Sequence, residues 1–330
     1  MVGPYYDRRA SYLLSDSGTK GSKTVSAAYW FVRGGSRLTG HIPRRFRHFV
    51  GGLLGASSYI GWRAKRLVTL QNMAQVTGLS VKDPRVQYLA YASWRNYGRY
   101  ASDFLNFPQL DVDYIDKHLH DISDSGKGWQ EEFDAAQKRG KGVIFSAAHF
   151  GNWDIAGAVV GRHMSLSVVV ESFDDPRMDQ FIQDQRREKG MNVIPMESSM
   201  RRILRTLQQN QVVGIVADRP VSAEQGVPVT FCGRTTYVPA GPAALALKSG
   251  AAIIPGYVWY GEKEGYLLRA FPAIIPREYS GNAEKAAEII RLTQEIYNAQ
   301  EAMVKAWPTQ WYMFRPFWPQ ETLPEKKEGK

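Results

Sequence analysis

A single cysteine, Cys232, in 330 residues excludes an intramolecular disulfide and any cysteine-built zinc site, and points to an interior, cytosol-facing location. The N-terminus, Met1 to Arg9, lacks the apolar core of a signal peptide. No run of about 18 uncharged apolar residues occurs anywhere, so no transmembrane helix is expected. There is no internal repeat of fixed period and no recognisable RNA- or DNA-binding module, so nucleic acid is not the expected partner. Acidic residues are scarce in the first third of the chain. Residues 1–108 hold 16 Lys and Arg against 4 Asp and Glu, a net of +12, which leaves −2 for residues 109–330. That asymmetry predicts contact with an anionic surface, phospholipid headgroups above all, and its bland alternative is a merely solvated basic face.

What is present is ample apolar material, 44% of the chain, enough for one large α/β domain with an appendage or for two ordinary domains. Residues 1–23 read as a flexible tail, 24–108 as a basic amphipathic helical region, 109–318 as an α/β core, and 319–330 as a second flexible tail. Within Arg44 to Gln71, Phe46, Phe49, Val50, Leu53, Leu54, Ile60 and Ala64 recur at helical steps, flanked by Arg44, Arg45, Arg47, Arg63, Lys65 and Arg66. Such a stripe can lie among acyl chains with its cations on phosphates, or against the protein core, where Gly51, Gly52, Gly55 and Gly61 would permit close packing.

After Pro108, short apolar runs alternate with helical stretches. Strands are predicted at 142–145, 165–170, 192–195, 212–217, 227–231 and 252–259, with an edge or hairpin over 266–276. Helices fit at 127–139, 153–161, 176–189, 199–208, 240–249 and 282–306. This order predicts a central, mainly parallel sheet covered by helices on both faces.

The run Val143 to Phe145 ends near His149, and Asp154 follows five residues later across a Gly151-Asn152 turn. In open α/β sheets ligands bind beyond the carboxyl ends of the strands. An imidazole there can take a proton from a weak nucleophile, and a carboxylate can fix its tautomer; the spacing nominates His149 as base and Asp154 as orienter. A buried histidine beside a helix-capping Asp154 is the competing reading. Glu171 and Arg186 should face the same edge, the arginine as a phosphate or oxyanion ligand, unless the two form a simple surface pair. Asp218 and Arg219, after the strand ending at Ala217, sit where ligand-contacting residues sit, though they can also brace each other. Glu224 is a weaker candidate on the following loop. Gly241, in a Pro- and Gly-marked turn before an Ala-rich helix, offers free N–H groups for an anion, while close helix-to-sheet packing explains the same residues.

The blocks His149-Phe150-Gly151-Asn152-Trp153-Asp154, Arg186 with Gly190, Ala217-Asp218, Gly226-Val227 with Phe231 and Gly233, and Pro239-Ala240-Gly241-Pro242 resemble those of the bacterial lysophospholipid-acyltransferase-like superfamily. The branch is that of lipid A biosynthesis and phosphatidylinositol mannoside acyltransferases. Arg66, Asn72, Asn96, Gly98, Arg99 and the ending Pro308-Thr309-Gln310-Trp311 extend the likeness over residues 60–318. Aspartate rather than glutamate at position 154, and the lack of an N-terminal membrane helix, favour the mannoside side. The resemblance implies acyl transfer from acyl-CoA or acyl carrier protein to a hydroxyl of a glycolipid or lysolipid. It implies a peripheral enzyme on the cytoplasmic face of the cell membrane, using neither metal nor other cofactor. Two competing readings are a thioesterase or covalent transferase with Cys232 as nucleophile, disfavoured because Phe231-Cys232-Gly233 reads as the end of a packed strand, and a non-catalytic membrane- or nucleic-acid-binding protein.

Overall fold

The structure, a computed structural model, describes residues 23–123, 126, 128–261 and 265–319. The tails expected over 1–22 and 320–330 lie outside the described residues. In chain order the helices are α1 (Lys23–Thr39), α2 (Arg44–Gly61), α3 (Arg63–Thr77), α4 (Pro84–Leu105), α5 (Val112–Lys117), α6 (Gly128–Gln137), α7 (Trp153–His163), α8 (Pro176–Glu188), α9 (Ser199–Gln208), α10 (Gly241–Ser249) and α11 (Gly281–Ala306). The strands are β1 (Leu119–Asp121), β2 (Val143–Ala147), β3 (Leu166–Val170), β4 (Met191–Pro195), β5 (Val212–Val216), β6 (Val227–Phe231), β7 (Arg234–Val238), β8 (Ala252–Tyr260) and β9 (Tyr266–Ala270).

Seven strands form one sheet in the order β1-β9-β8-β2-β5-β3-β4. The run from β8 to β4 is parallel, and β9 returns antiparallel on β8 with β1 beside it. Side chains alternate between two hydrophobic layers, as the two-residue period of a strand requires. On β2, Ile144 joins the layer containing Trp94, Val213 and Leu292, whereas Val143 and Phe145 join the layer built by α6 and α7. The doubly covered, mainly parallel sheet expected from the alternating pattern is therefore present. Two strands escaped that reading. β1 is only three residues long, and β7 is largely polar. β7 pairs with β6 through a two-residue turn in which Cys232 and Gly233 have φ of 49° and 75°. Cys232 is thus a hairpin-turn residue rather than the end of a strand, and the left-handed conformation explains the glycine beside it.

The N-terminal helices do not form a separate body. Tyr59, Leu70, Met73 and Trp94 share one core cluster with Ile144, Val213 and Trp259 of the sheet. The amphipathic segment breaks at Trp62 into α2 and α3, and its orientation is settled by glycine. A Cβ on Gly98 would lie 2.0 Å from the carbonyl oxygen of Gly51, and one on Gly55 would lie 2.1 Å from that of Trp94, so α2 and α4 touch backbone to backbone. The large apolar residues are consequently turned outward: Phe49 is 67% exposed, Leu54 63% and Ile60 68%. The alternative that places this stripe against the core does not hold.

Candidate active site

β2 and β5 are parallel neighbours with Ala147 opposite Val216, so the chains leaving them run abreast at the carboxyl edge of the sheet. Two residues beyond each strand stand His149 and Asp218. Nδ1 of His149 donates to Oδ1 of Asp218 at 2.6 Å, and the backbone N–H of His149 donates to Oδ2 at 2.8 Å. Asp218 is 1% exposed. Burial alone would raise its pKa, but the adjacent imidazole, the two hydrogen bonds from His149 and the charge of Arg219 outweigh burial and hold it below the ordinary 3.8.

The loop that carries His149 is fixed from behind. Gly151 has φ of 59°, and a Cβ there would sit 2.1 Å from the Val258 carbonyl oxygen, so only glycine fits. The Gly151 N–H donates to Gln310, and the Tyr312 N–H donates to the His149 carbonyl. That C-terminal segment is held in turn by the N-terminal helices: Asn72 donates to the Met313 and Arg315 carbonyls, Ser93 to Trp311, and Asn96 to Thr309. Asn152 caps α7 by accepting from the Ile155 N–H, the stabilising arrangement for a helix start.

Asp154, expected as the orienter, faces elsewhere. Its carboxylate accepts from the Tyr100 hydroxyl at 2.8 Å and from Arg186 at 3.0 Å. The chain between His149 and Asp154 bends into the first turn of α7, which carries the carboxylate toward α4 and α8, and Asp218 occupies the imidazole nitrogen instead. Arg186 is committed to Asp154 and to Gln183, its side chain 15% exposed, rather than standing open as an oxyanion ligand. The simple Glu171–Arg186 pair does not form, because Glu171 belongs to Arg219. One nitrogen of Arg219 donates to both Glu171 oxygens at 2.7 and 2.8 Å, while the other lies 3.4 Å from His149 Nε2. Glu171, Arg219, His149 and Asp218 thus form one chain across the sheet edge. Glu224 lies exposed on its loop, its pKa lowered first by a hydrogen bond from Ser222. Gly241 opens α10 with open space around it.

Aromatic residues that the sequence reading did not nominate complete the site. The Trp153 ring is 5.0 Å from the His149 ring and 4.0 Å from that of Tyr100. Burial raises the pKa of Tyr97, which the nearby Arg219 partly offsets. Tyr97 and Tyr100, three residues apart on α4, were detectable as a helical aromatic pair but indistinguishable from ordinary core. Cys232 makes a poor nucleophile: burial first, and then Glu301, push its thiol up to about 12. Among the described residues, no group of three or more His, Cys, Asp or Glu is placed to hold a metal ion.

The six N-terminal cations separate. Arg45 and Arg63 are exposed, whereas Lys65 lies over the Trp62 ring and Arg66 over Tyr59. Arg47 donates to the Thr39 and Ile42 carbonyls, and Arg44 stacks on Tyr266 at 4.5 Å. No helix among the described residues is long and apolar enough to cross a membrane.

The site is thus a histidine and its carboxylate at the carboxyl edge of a parallel sheet, backed by an asparagine-capped helix, and comparison with known proteins assigns the chain to a class. It belongs to the bacterial lipid A biosynthesis acyltransferase family, which it matches over residues 17–320. Within that class, it is similar to the phosphatidylinositol mannoside acyltransferase of Mycobacterium tuberculosis, with 30% identity over 75% of each chain. It is likewise similar to the phosphatidylinositol mannoside acyltransferase of Mycolicibacterium smegmatis, with 27% identity over 78% of this chain and 81% of the relative. A solved structure, the 1-acyl-sn-glycerophosphate acyltransferase PlsC from Thermotoga maritima, aligns over 80% of this chain and 98% of its own at 12% identity and a TM-score of 0.36.

Proposed function

We propose that this acyltransferase moves a fatty acyl chain from an acyl thioester, carried by CoA or acyl carrier protein, to a hydroxyl of a glycolipid or lysolipid. The observation that carries the mechanism is the hydrogen bond from His149 Nδ1 to Asp218, which leaves Nε2 as the proton acceptor. Nε2 takes the acceptor's hydroxyl proton as its oxygen attacks the thioester carbonyl. The tetrahedral intermediate then collapses with rupture of the C–S bond, and the imidazolium returns the proton to the departing thiolate. A base of this kind contributes roughly 10²- to 10⁴-fold. Arg219, 3.4 Å from Nε2, is the cation best placed to meet the developing oxyanion, with Glu171 setting its orientation. Asp154 and Arg186 hold α7 and α8 in place behind the base.

The exposed face of α2 supports a peripheral position on the membrane, which this reading assigns to the cytoplasmic leaflet. Phe46, Phe49, Leu53, Leu54 and Ile60 are suited to the acyl-chain boundary, with the exposed Arg45 and Arg63 at the helix ends for anionic headgroups. The test is transfer from radiolabelled acyl-CoA, with acyl carrier protein as the alternative donor, to a phosphatidylinositol mannoside in liposomes. A labelled ester whose formation requires both His149 and Asp218 is expected. Free fatty acid as the only product would replace the reading with a thioesterase.

A further inference from the structure

Ser93, Tyr97 and Tyr100 fall at helical steps on one face of α4, and that face is turned toward the C-terminal segment and α7. The hydroxyls around Tyr97 are all committed. That of Ser93 donates to the Trp311 carbonyl at 2.7 Å, that of Tyr100 to Asp154 at 2.8 Å, and that of Tyr312 to Gln310 at 3.3 Å. Tyr97 is different. Its ring is held by those of Tyr100, Tyr312 and Phe314, with centroids 5.7, 5.5 and 5.2 Å away, yet its hydroxyl bonds to no other described residue. Nor is that oxygen one of the sealed polar atoms of the interior, so a half-buried side chain ends in a phenol open to solvent.

The surroundings decide what that hydroxyl meets. Ring contacts run from Tyr97 through Tyr100 and Trp153 to His149, and the charge of Arg219, which lies 3.4 Å from His149 Nε2, also reaches Tyr97. Burial raises the pKa of the phenol more than Arg219 lowers it, so at neutral pH it stays a neutral donor. A neutral donor beside a guanidinium favours negative charge in the space they share. In the proposed transfer that charge develops on the thioester carbonyl oxygen. We propose that Tyr97 is a further catalytic residue, whose hydroxyl donates to this oxygen alongside Arg219 as the tetrahedral intermediate forms. The phenol keeps its proton throughout. The acceptor's O–C bond forms and the C–S bond breaks while His149 carries the one proton that moves, from the acceptor hydroxyl to the departing thiolate. Because the donor gains strength only as the oxygen becomes charged, it acts on the rate and not on substrate binding. The inference rests on the proposed acyl transfer and adds a residue to it.

The experiment is Tyr97→Phe in the full chain, which removes the hydroxyl and keeps the ring, assayed with acyl-CoA and a phosphatidylinositol mannoside in liposomes. The turnover number should fall about 10²-fold, the lower end of the range for losing one oxyanion donor, while KM for both substrates changes by less than about twofold. The pH profile of kcat should keep its shape, because the substitution leaves His149 where it is; a merely structural role, which displaced the imidazole, would shift it. Binding supplies a second measurement without turnover. A thioether analogue of the acyl donor should bind wild type and variant alike, whereas a phosphonate analogue of the tetrahedral intermediate should bind the variant about 10²-fold more weakly. The melting temperature should not fall, since the hydroxyl has no partner inside the protein. Undiminished kcat, a loss confined to KM, or a lowered melting temperature would each overturn the assignment of Tyr97 while wild-type turnover left the transfer reading standing. A wild-type chain that transfers no acyl group would overturn that reading, and this assignment with it.

Discussion

Among the described residues, two buried carboxylates each hold a histidine, and the difference between the pairs is chemical rather than a matter of distance. His149 meets Asp218 at 2.6 Å and His48 meets Asp103 at 2.7 Å. Asp218 takes Nδ1 and the backbone N–H of the same residue, leaving Nε2 beside Arg219 and a site whose histidine side chain is 21% exposed. Asp103 takes Nε2, is shared with two tyrosines, and leaves the His48 side chain 13% exposed with its ring edge-on to Tyr260. A carboxylate next to an imidazole therefore does not make a base. The nitrogen left over must face a place where substrate can stand.

The sharpest way to break this comparison is substitution at the two pairs. His149→Ala should lower kcat by about 10³-fold or more, and Asp218→Asn by about 10²-fold, since the imidazole remains but its tautomer is no longer enforced. Single-turnover rates with the folded variants check both. His149→Ala retaining a tenth of wild-type turnover would remove it as the base.

Asp154→Ala should show its effect mainly in stability. It leaves Arg186 largely buried without its carboxylate, a defect of roughly 3–5 kcal/mol, with a smaller loss of kcat through movement of α7. Denaturant unfolding measures this, and an undiminished midpoint would return Asp154 from a structural to a purely chemical role.

How much of this was legible in the chain follows from where each signal resides. The alternation of apolar runs and helical stretches placed most strands and helices within a few residues, because those signals are local. The site was half legible. His149 stood out at a strand end, but its partner lies 69 residues on and is brought abreast only by the parallel register of β2 and β5. The nearer Asp154 therefore drew the assignment. Asp218 was visible as a ligand-contacting residue and not as the orienter. The outward face of α2 was equally ambiguous in sequence, because glycines and large apolar residues form two opposite faces of one helix and either can be a packing face. Contact with Gly98 on α4, distant in sequence, decides it.

That choice of face yields a prediction of intermediate size. Phe49→Glu combined with Leu53→Glu should weaken association with phosphatidylglycerol liposomes by roughly tenfold or more, while turnover on a detergent-dispersed acceptor survives. Unchanged co-sedimentation would place membrane contact on another surface. The smallest effect is expected at the other histidine: His48→Gln, which can still donate to Asp103, should alter kcat by no more than about twofold. A loss approaching that of Asp218→Asn would erase the distinction between the pairs.

The most direct test of the assignment of Asp218 is the His149 Nδ1 proton in ¹⁵N-histidine-labelled protein. Its carboxylate is held below the ordinary 3.8, so it stays ionised in the folded state to lower pH than in the unfolded chain. The stability that this depressed carboxylate contributes is full above about pH 4 and is lost as pH falls through its folded value. A low-field, exchange-protected Nδ1 proton is expected from His149 at neutral pH. It should disappear in Asp218→Asn and persist in Asp154→Asn. Loss of the signal in Asp154→Asn with retention in Asp218→Asn would contradict the assignment and restore the local His149–Asp154 pair.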